Sequence, residues 1–173
     1  MINYYRPFLT LVYREVLRFL VLYKQTIMPG IISSGLYIII FGHALGNRIG
    51  LIDNVEYVHF IIPGLTMMSV INQSYANSSS SIMQAKYLKF IEDYLIAPVS
   101  GFELSMSFII GAILRGVING VLIIATCSLL TDFTIDNYIL SLFLLIVISC
   151  AFGAIGVIVG IIAKTWDSVG ILG

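Results

Sequence analysis

The sequence predicts an all-α integral membrane protein, with an N-terminal amphipathic helix in the interface followed by four transmembrane helices. Three observations carry this. Of the 173 residues, 59% are apolar and 10% charged, with a mean hydropathy of +1.02, whereas a soluble domain carries roughly 25% charged residues. Four runs poor in charge are each long enough to supply the ~20 helical residues that cross a bilayer core. The Lys and Arg residues fall almost entirely on one side of those runs. Nine Lys+Arg balance nine Asp+Glu, so no basic field exists to hold phosphates and nucleic acid is excluded as a partner. Membrane lipid is the expected surrounding.

Residues 4–24 form the first element. On a helical wheel Thr10, Arg14, Glu15 and Arg18 share one arc, and Phe8, Leu9, Val12, Val16, Phe19 and Leu20 share the opposite one. Pro7 suits the first turn. Such a helix lies in the interface with its polar arc toward water; the alternative is an early extension of the first membrane helix. The spans follow at 25–47, 57–78, 102–130 and 137–163. In the second, Asn72, Gln73, Ser74, Asn77 and the serines after them either line a vestibule or mark the cytoplasmic end of the helix.

Arg6, Arg14, Arg18, Lys24, Lys86, Lys89 and Lys164 fall on the N-terminal side of the spans, and Arg48 alone on the other. The positive-inside rule then places both termini and the 77–101 segment in the cytoplasm. The first apolar run begins at residue 25 and is too long for a signal-peptide core. No lipidation motif is present.

Between the second and third spans, residues 82–98 read as an amphipathic helix. Met83, Tyr87, Phe90, Ile91 and Tyr94 recur at three and four, while Lys86, Lys89 and Asp93 face the other way. Pro98 stops the helix at or before Ala97. The segment rests on lipid or docks a cytosolic partner.

Arg115 interrupts the third span. An arginine at a helix centre costs about 2.5–3.5 kcal/mol, and each Leu, Ile, Val or Phe around it returns about 0.3–0.6 kcal/mol, so insertion survives. Intramembrane charges face a bundle interior or a watery cavity. Arg115 is a pathway residue or a buried structural one, and no acidic residue is expected at its depth. The steps Gly116-xxx-Gly120 and Gly156-xxx-Gly160 predict close packing of the third span on the fourth.

Chemistry is sparse. The five aspartates, Asp53, Asp93, Asp132, Asp136 and Asp167, lie outside the spans, and no HExxH occurs, so catalytic residues are not expected. His43 and His59 lack Cys or Glu company, and no metal site is expected. Cys127 and Cys150 lie at different depths of their helices and are not paired. No GxxxxGK[ST] loop occurs, so any ATP phosphates must be held by another chain.

Four patches resemble one family. Tyr57-Val58-His59-Phe60-Ile61-Ile62-Pro63-Gly64-Leu65-Thr66-Met67-Met68 resembles the second-helix signature of ABC-2 type transporter permeases. Ile91-Glu92-Asp93-Tyr94-Leu95-Ile96-Ala97-Pro98-Val99-Ser100 is similar to that family's cytoplasmic signature, an acidic pair followed by a Pro-Val-Ser turn. Arg115-Gly116 with Gly120, and Ala163-Lys164-Thr165-Trp166-Asp167, match two further patterns in register.

The resemblance implies the first part of a six-helix transmembrane domain, with 4–24 as connecting helix and 82–98 as coupling helix. It implies a permease subunit of an exporter in the bacterial inner membrane, paired with a second copy of itself. Cytosolic ABC ATPase subunits would hold ATP and Mg and contact Tyr87, Ile91, Glu92, Asp93, Tyr94 and Pro98. Asn72, Gln73 and Arg115 are the intramembrane polar residues, and Pro63, Gly64 and Gly116 the motif positions. The chain stops before the last two helices of the family pattern. The rival expectation is therefore a membrane-anchoring or structural subunit with no pathway of its own.

Overall fold

A computed structural model describes residues 5–49, 51–52, 55–131, 133–135 and 137–172. Among them the order is α1 (Tyr5–Val21), α2 (Tyr23–Thr26), α3 (Met28–Ile49), β1 (Leu51–Ile52), β2 (Val55–Glu56), α4 (Tyr57–Tyr87), α5 (Ile91–Ile96), α6 (Gly101–Leu130), α7 (Tyr138–Ile162) and α8 (Trp166–Leu172). The all-α class holds, apart from a two-residue antiparallel ladder with Leu51 opposite Glu56 and Ile52 opposite Val55. Two described helices, α6 and α7, are long and apolar enough to cross a membrane. Beside them run α3, of 22 residues, and α4, of 31. The side chain of His43 lies outside the described residues.

The centre of the bundle is α4, packed on α7 and α6 and flanked by α3, while α1 lies along α6. Local chemistry sets the starts of the two apolar helices. Ser100 accepts from the Glu103 amide at 3.2 Å and its own amide donates to the Glu103 carboxylate at 2.8 Å, a capping box that satisfies two otherwise free donors. Asn137 caps α7 by accepting from the Leu140 amide at 3.0 Å.

The close approaches depend on small residues. An ideal Cβ on Gly156 would sit 2.6 Å from the Tyr75 carbonyl oxygen, and one on Gly160 3.2 Å from Ser79 Cα. One on Gly153 would lie 2.8 Å from Ala112 Cβ, and one on Gly116 would collide with the hydroxyls of Ser74 and Ser149. The small-residue contacts are thus intrachain, but the Gly156–Gly160 step faces α4 rather than the third span. With no hydrophobic drive between helices in lipid, backbone proximity of this kind is what association can use.

Two sequence expectations change. First, α1 is a separate amphipathic helix that ends at Val21, and its turn into α2 is pinned by Thr26 Oγ1 donating to the Phe19 carbonyl at 3.0 Å. Its polar arc is divided: Thr10 and Arg14 are exposed, while Glu15 and Arg18 turn in to the bundle. Glu15 is 2% exposed, and the apolar arc is divided too, with Phe19 at 1% and Leu9 more than half exposed. Glu15 and Arg18 can turn inward because they find hydrogen-bond partners on α4, without which burying them would be costly. Second, 82–98 is not one helix. Ile82, Met83 and Ala85 are buried, so packing carries α4 on to Tyr87. Lys89, with φ of 60°, then breaks the chain direction, and only Ile91–Ile96 forms a separate helix. Ala97 is extended ahead of Pro98, as a residue before proline prefers.

Candidate functional site: a buried polar junction and a short outer helix

A polar junction joins α1, α4 and α6. Arg115, 7% exposed, donates from Nε to Gln73 Oε1 at 3.0 Å, from Nη2 to the same oxygen, and from Nη1 to Asn77 Oδ1 at 3.5 Å. Arg18 reaches the same Asn77 from the other side. Its Nη2 donates to the Asn77 backbone oxygen at 2.9 Å and to Oδ1 at 3.0 Å, and its Nη1 to Ser80 Oγ at 3.5 Å. Nε of Arg18 donates to Glu15 at 3.3 Å, and both Glu15 oxygens accept from Ser81 Oγ at 2.8 Å. Glu15 Cβ lies 3.0 Å from where a Cβ on Gly111 would stand, one helical turn from Arg115. A carboxylate therefore does come close to the level of Arg115, contrary to the sequence expectation.

Of the three polar residues expected within the membrane, Gln73 and Arg115 meet directly. Asn72 does not join them; it is exposed and lines a cavity of about 320 Å³ with Tyr37, Ser69 and Gln73. The polar seam continues past Gly116 and Gly120. Ser74 Oγ, Asn77 Nδ2, Ser149 Oγ and both side-chain polar atoms of Asn119 are buried there without a hydrogen-bond partner. Such groups are costly away from water, so this seam is not arranged for stability alone. At the far end, Pro63 borders a cavity of about 400 Å³ with Phe133 and Thr134. Gly64 meets open space.

The outer helix α5 divides its residues. Glu92 and Asp93 are exposed, as is Pro98. Tyr94 is 9% exposed and joins Ile82, Ala85, Phe108 and Val157 in a core cluster, with Ile91 packed against it. Its ring meets Phe108 edge-on at 6.2 Å and 90°, and the Arg14 guanidinium stands 5.0 Å over it. Tyr87, on the last turn of α4, is 75% exposed. The common apolar docking face expected of Tyr87, Ile91 and Tyr94 is therefore absent: Tyr94 and Ile91 turn inward to the bundle, Tyr87 outward.

Sequence reasoning missed Glu15, Arg18, Asn77 and Ser81 as members of the junction. The spacing signals were present. Gln73 and Asn77 are four apart on α4, Glu15 and Arg18 three apart on α1, and such pairs share a face. Placing the α1 pair on a water-facing arc hid the connection.

The ABC-2 type transporter family matches residues 6–173. The chain is 35% identical over 159 residues to the inner membrane transport permease YadH of Escherichia coli (strain K12), and to YadH of Escherichia coli O157:H7 and of Shigella flexneri. That alignment covers 92% of this chain and 62% of each relative, so the chain spans less than two thirds of the relatives' length. No solved structure matches it significantly. A match across nearly the whole chain, carried by helices that include two apolar enough to cross a bilayer, assigns it: the chain belongs to the ABC-2 type transporter family of membrane permeases.

Proposed function

We propose that this chain is the membrane-spanning permease subunit of an ABC exporter in the bacterial inner membrane, working as a homodimer with separate cytosolic ATPase subunits. In this reading α3, α4, α6 and α7 are the four spans, and both termini and α5 are cytoplasmic. ATP and Mg sit on the ATPases. The observation that carries the reading is the build of α5. A six-residue helix presents Glu92 and Asp93 outward while Tyr94 is clamped between Arg14 of α1 and Phe108 of α6. Exposed carboxylates orient a contact with a basic surface and set its specificity. The buried ring makes the helix move with the bundle rather than on a loose tether. Pro98 and the Ser100 capping box then lead without slack into α6.

The test is affinity purification of the chain from its native membrane, wild type against the double variant Glu92→Ala, Asp93→Ala. Loss of a co-purifying P-loop ATPase, with unchanged thermal stability of the permease, is expected. Retention of the ATPase at wild-type yield contradicts docking at α5.

A further inference from the structure

Beneath the polar junction lies a cleft of about 590 Å³, bordered by Arg18, Gln25, Ser80, Gln84, Arg115 and Trp166 among others. A smaller cleft of about 190 Å³ shares Arg18 and Gln84 and adds Arg14. No Asp or Glu borders either cleft. The one carboxylate nearby, Glu15, is buried to 2% and accepts from both Ser81 and Arg18, so it is committed within the bundle. Arg18 and Arg115 thus border the larger cleft and Arg14 and Arg18 the smaller, and while Arg18 is paired with Glu15, Arg14 and Arg115 have no counter-charge among the described residues.

We propose that this pair of clefts is a binding site for a phosphate group, independent of ATPase docking at α5. Three features specify the chemistry. A guanidinium carries five N–H donors; Arg115 uses three in its bonds to Gln73 and Asn77, which leaves donors free on a side chain that lines the cleft. Arginine forks match phosphate oxygens two at a time and hold them more strongly than neutral donors do. Gln84, Gln25 and Ser80 add neutral donors on the wall. A buried positive charge whose partners are neutral amides is expensive in a membrane domain, and an entering phosphate lowers that cost. The larger volume exceeds a phosphate group and leaves room for the portion attached to it. That portion is the glycerol of an anionic lipid head group or a water-soluble phosphate ester, and the chemistry of the wall is common to both.

Trp166 is the single tryptophan of the chain and stands on the cleft wall, so its fluorescence reports occupancy. The full chain is purified in maltoside micelles, which contain no phosphate, and titrated separately with phosphatidylglycerol, inorganic phosphate and diacylglycerol. A saturable Trp166 response to phosphatidylglycerol or to inorganic phosphate, with none to diacylglycerol, is expected. Response to the lipid alone assigns the head group as the source, and response to inorganic phosphate assigns a soluble phosphate. Arg115→Gln removes the guanidinium but also breaks the junction. Gln84→Glu is therefore the decisive variant: residue 84 is exposed on the rim, and a carboxylate there repels or displaces the phosphate, weakening binding at least about tenfold. No saturable response to either phosphate probe, or unchanged binding in Gln84→Glu, overturns the proposal.

Discussion

Tyr94 of α5 meets Phe108 of α6 edge-on, with ring centroids 6.2 Å apart and planes at 90°. The contact fixes the short helix between α4 and α6 to the first turns of α6. Arg14 of α1 covers the same tyrosine at 5.0 Å. Three segments that are separate in sequence therefore move as one piece at this end of the bundle.

Tyr94→Ala is predicted to destabilise the permease itself. Losing a buried ring costs on the order of 3 kcal/mol, and an edge-to-face pair adds about 0.5–1.5 kcal/mol. Tyr94→Phe keeps both and is predicted to be near wild type. Thermal unfolding in micelles checks this; equal melting temperatures for Tyr94→Ala and wild type would contradict the placement of the ring.

Glu15→Ala is predicted to be among the most damaging changes in α1. It removes the counter-charge of Arg18 and the acceptor of the Ser81 hydroxyl, and breaking a buried pair costs about 3–5 kcal/mol. Leu9→Ala, on the exposed face of the same helix, is predicted to be nearly neutral. Comparing the two by chemical unfolding separates an inward Glu15 from a water-facing one; similar small effects would restore the water-facing reading.

Much of the fold is legible in the sequence, and the failures share a cause. The limits of α6 and α7 follow from apolar run length, and the structure adds Ser100 and Asn137 as their caps. The amphipathic period of α1 is equally plain, but periodicity reports two faces without saying which is inside. Here neither face is wholly inside: Glu15 and Arg18 of one arc and Phe19 of the other turn inward, while Arg14 and Leu9 are exposed. The extent of α4 was hidden for a related reason. Ser78, Ser79 and Ser81 look like a helix end meeting water, yet all are buried, the first two where glycines of α7 let backbones approach and Ser81 against Glu15 of α1. The residues of the junction come from α1, α4 and α6, a juxtaposition that no local spacing reveals.

Gly156→Val is predicted to separate α7 from α4. Its Cβ would stand 2.6 Å from the Tyr75 carbonyl oxygen, and backbone cannot yield as a side chain can; overpacking of this kind costs about 1–3 kcal/mol. Gly64→Ala, where nothing lies within 4 Å, is predicted to assemble normally. Expression and melting temperature of the two variants side by side provide the check, with equal behaviour contradicting the packing described.

The four-span reading predicts opposite reactivity at the two ends of the bundle. In a background lacking Cys127 and Cys150, Thr134→Cys is predicted to react with an impermeant thiol reagent in intact cells. Lys89→Cys is predicted to react only after lysis. Labelling of Lys89→Cys alone in intact cells would invert the topology.

The central claim is that α5 is where an ATPase engages. It is tested most directly by placing the photo-cross-linking residue p-benzoylphenylalanine at position 92 and, as control, at position 138, both exposed, and irradiating cells that express the protein. The account predicts a covalent adduct at position 92 to a protein carrying a GxxxxGK[ST] loop, identified by mass spectrometry, and none at 138. Adducts at position 92 to lipid alone, or capture of the ATPase at 138 instead, would contradict it.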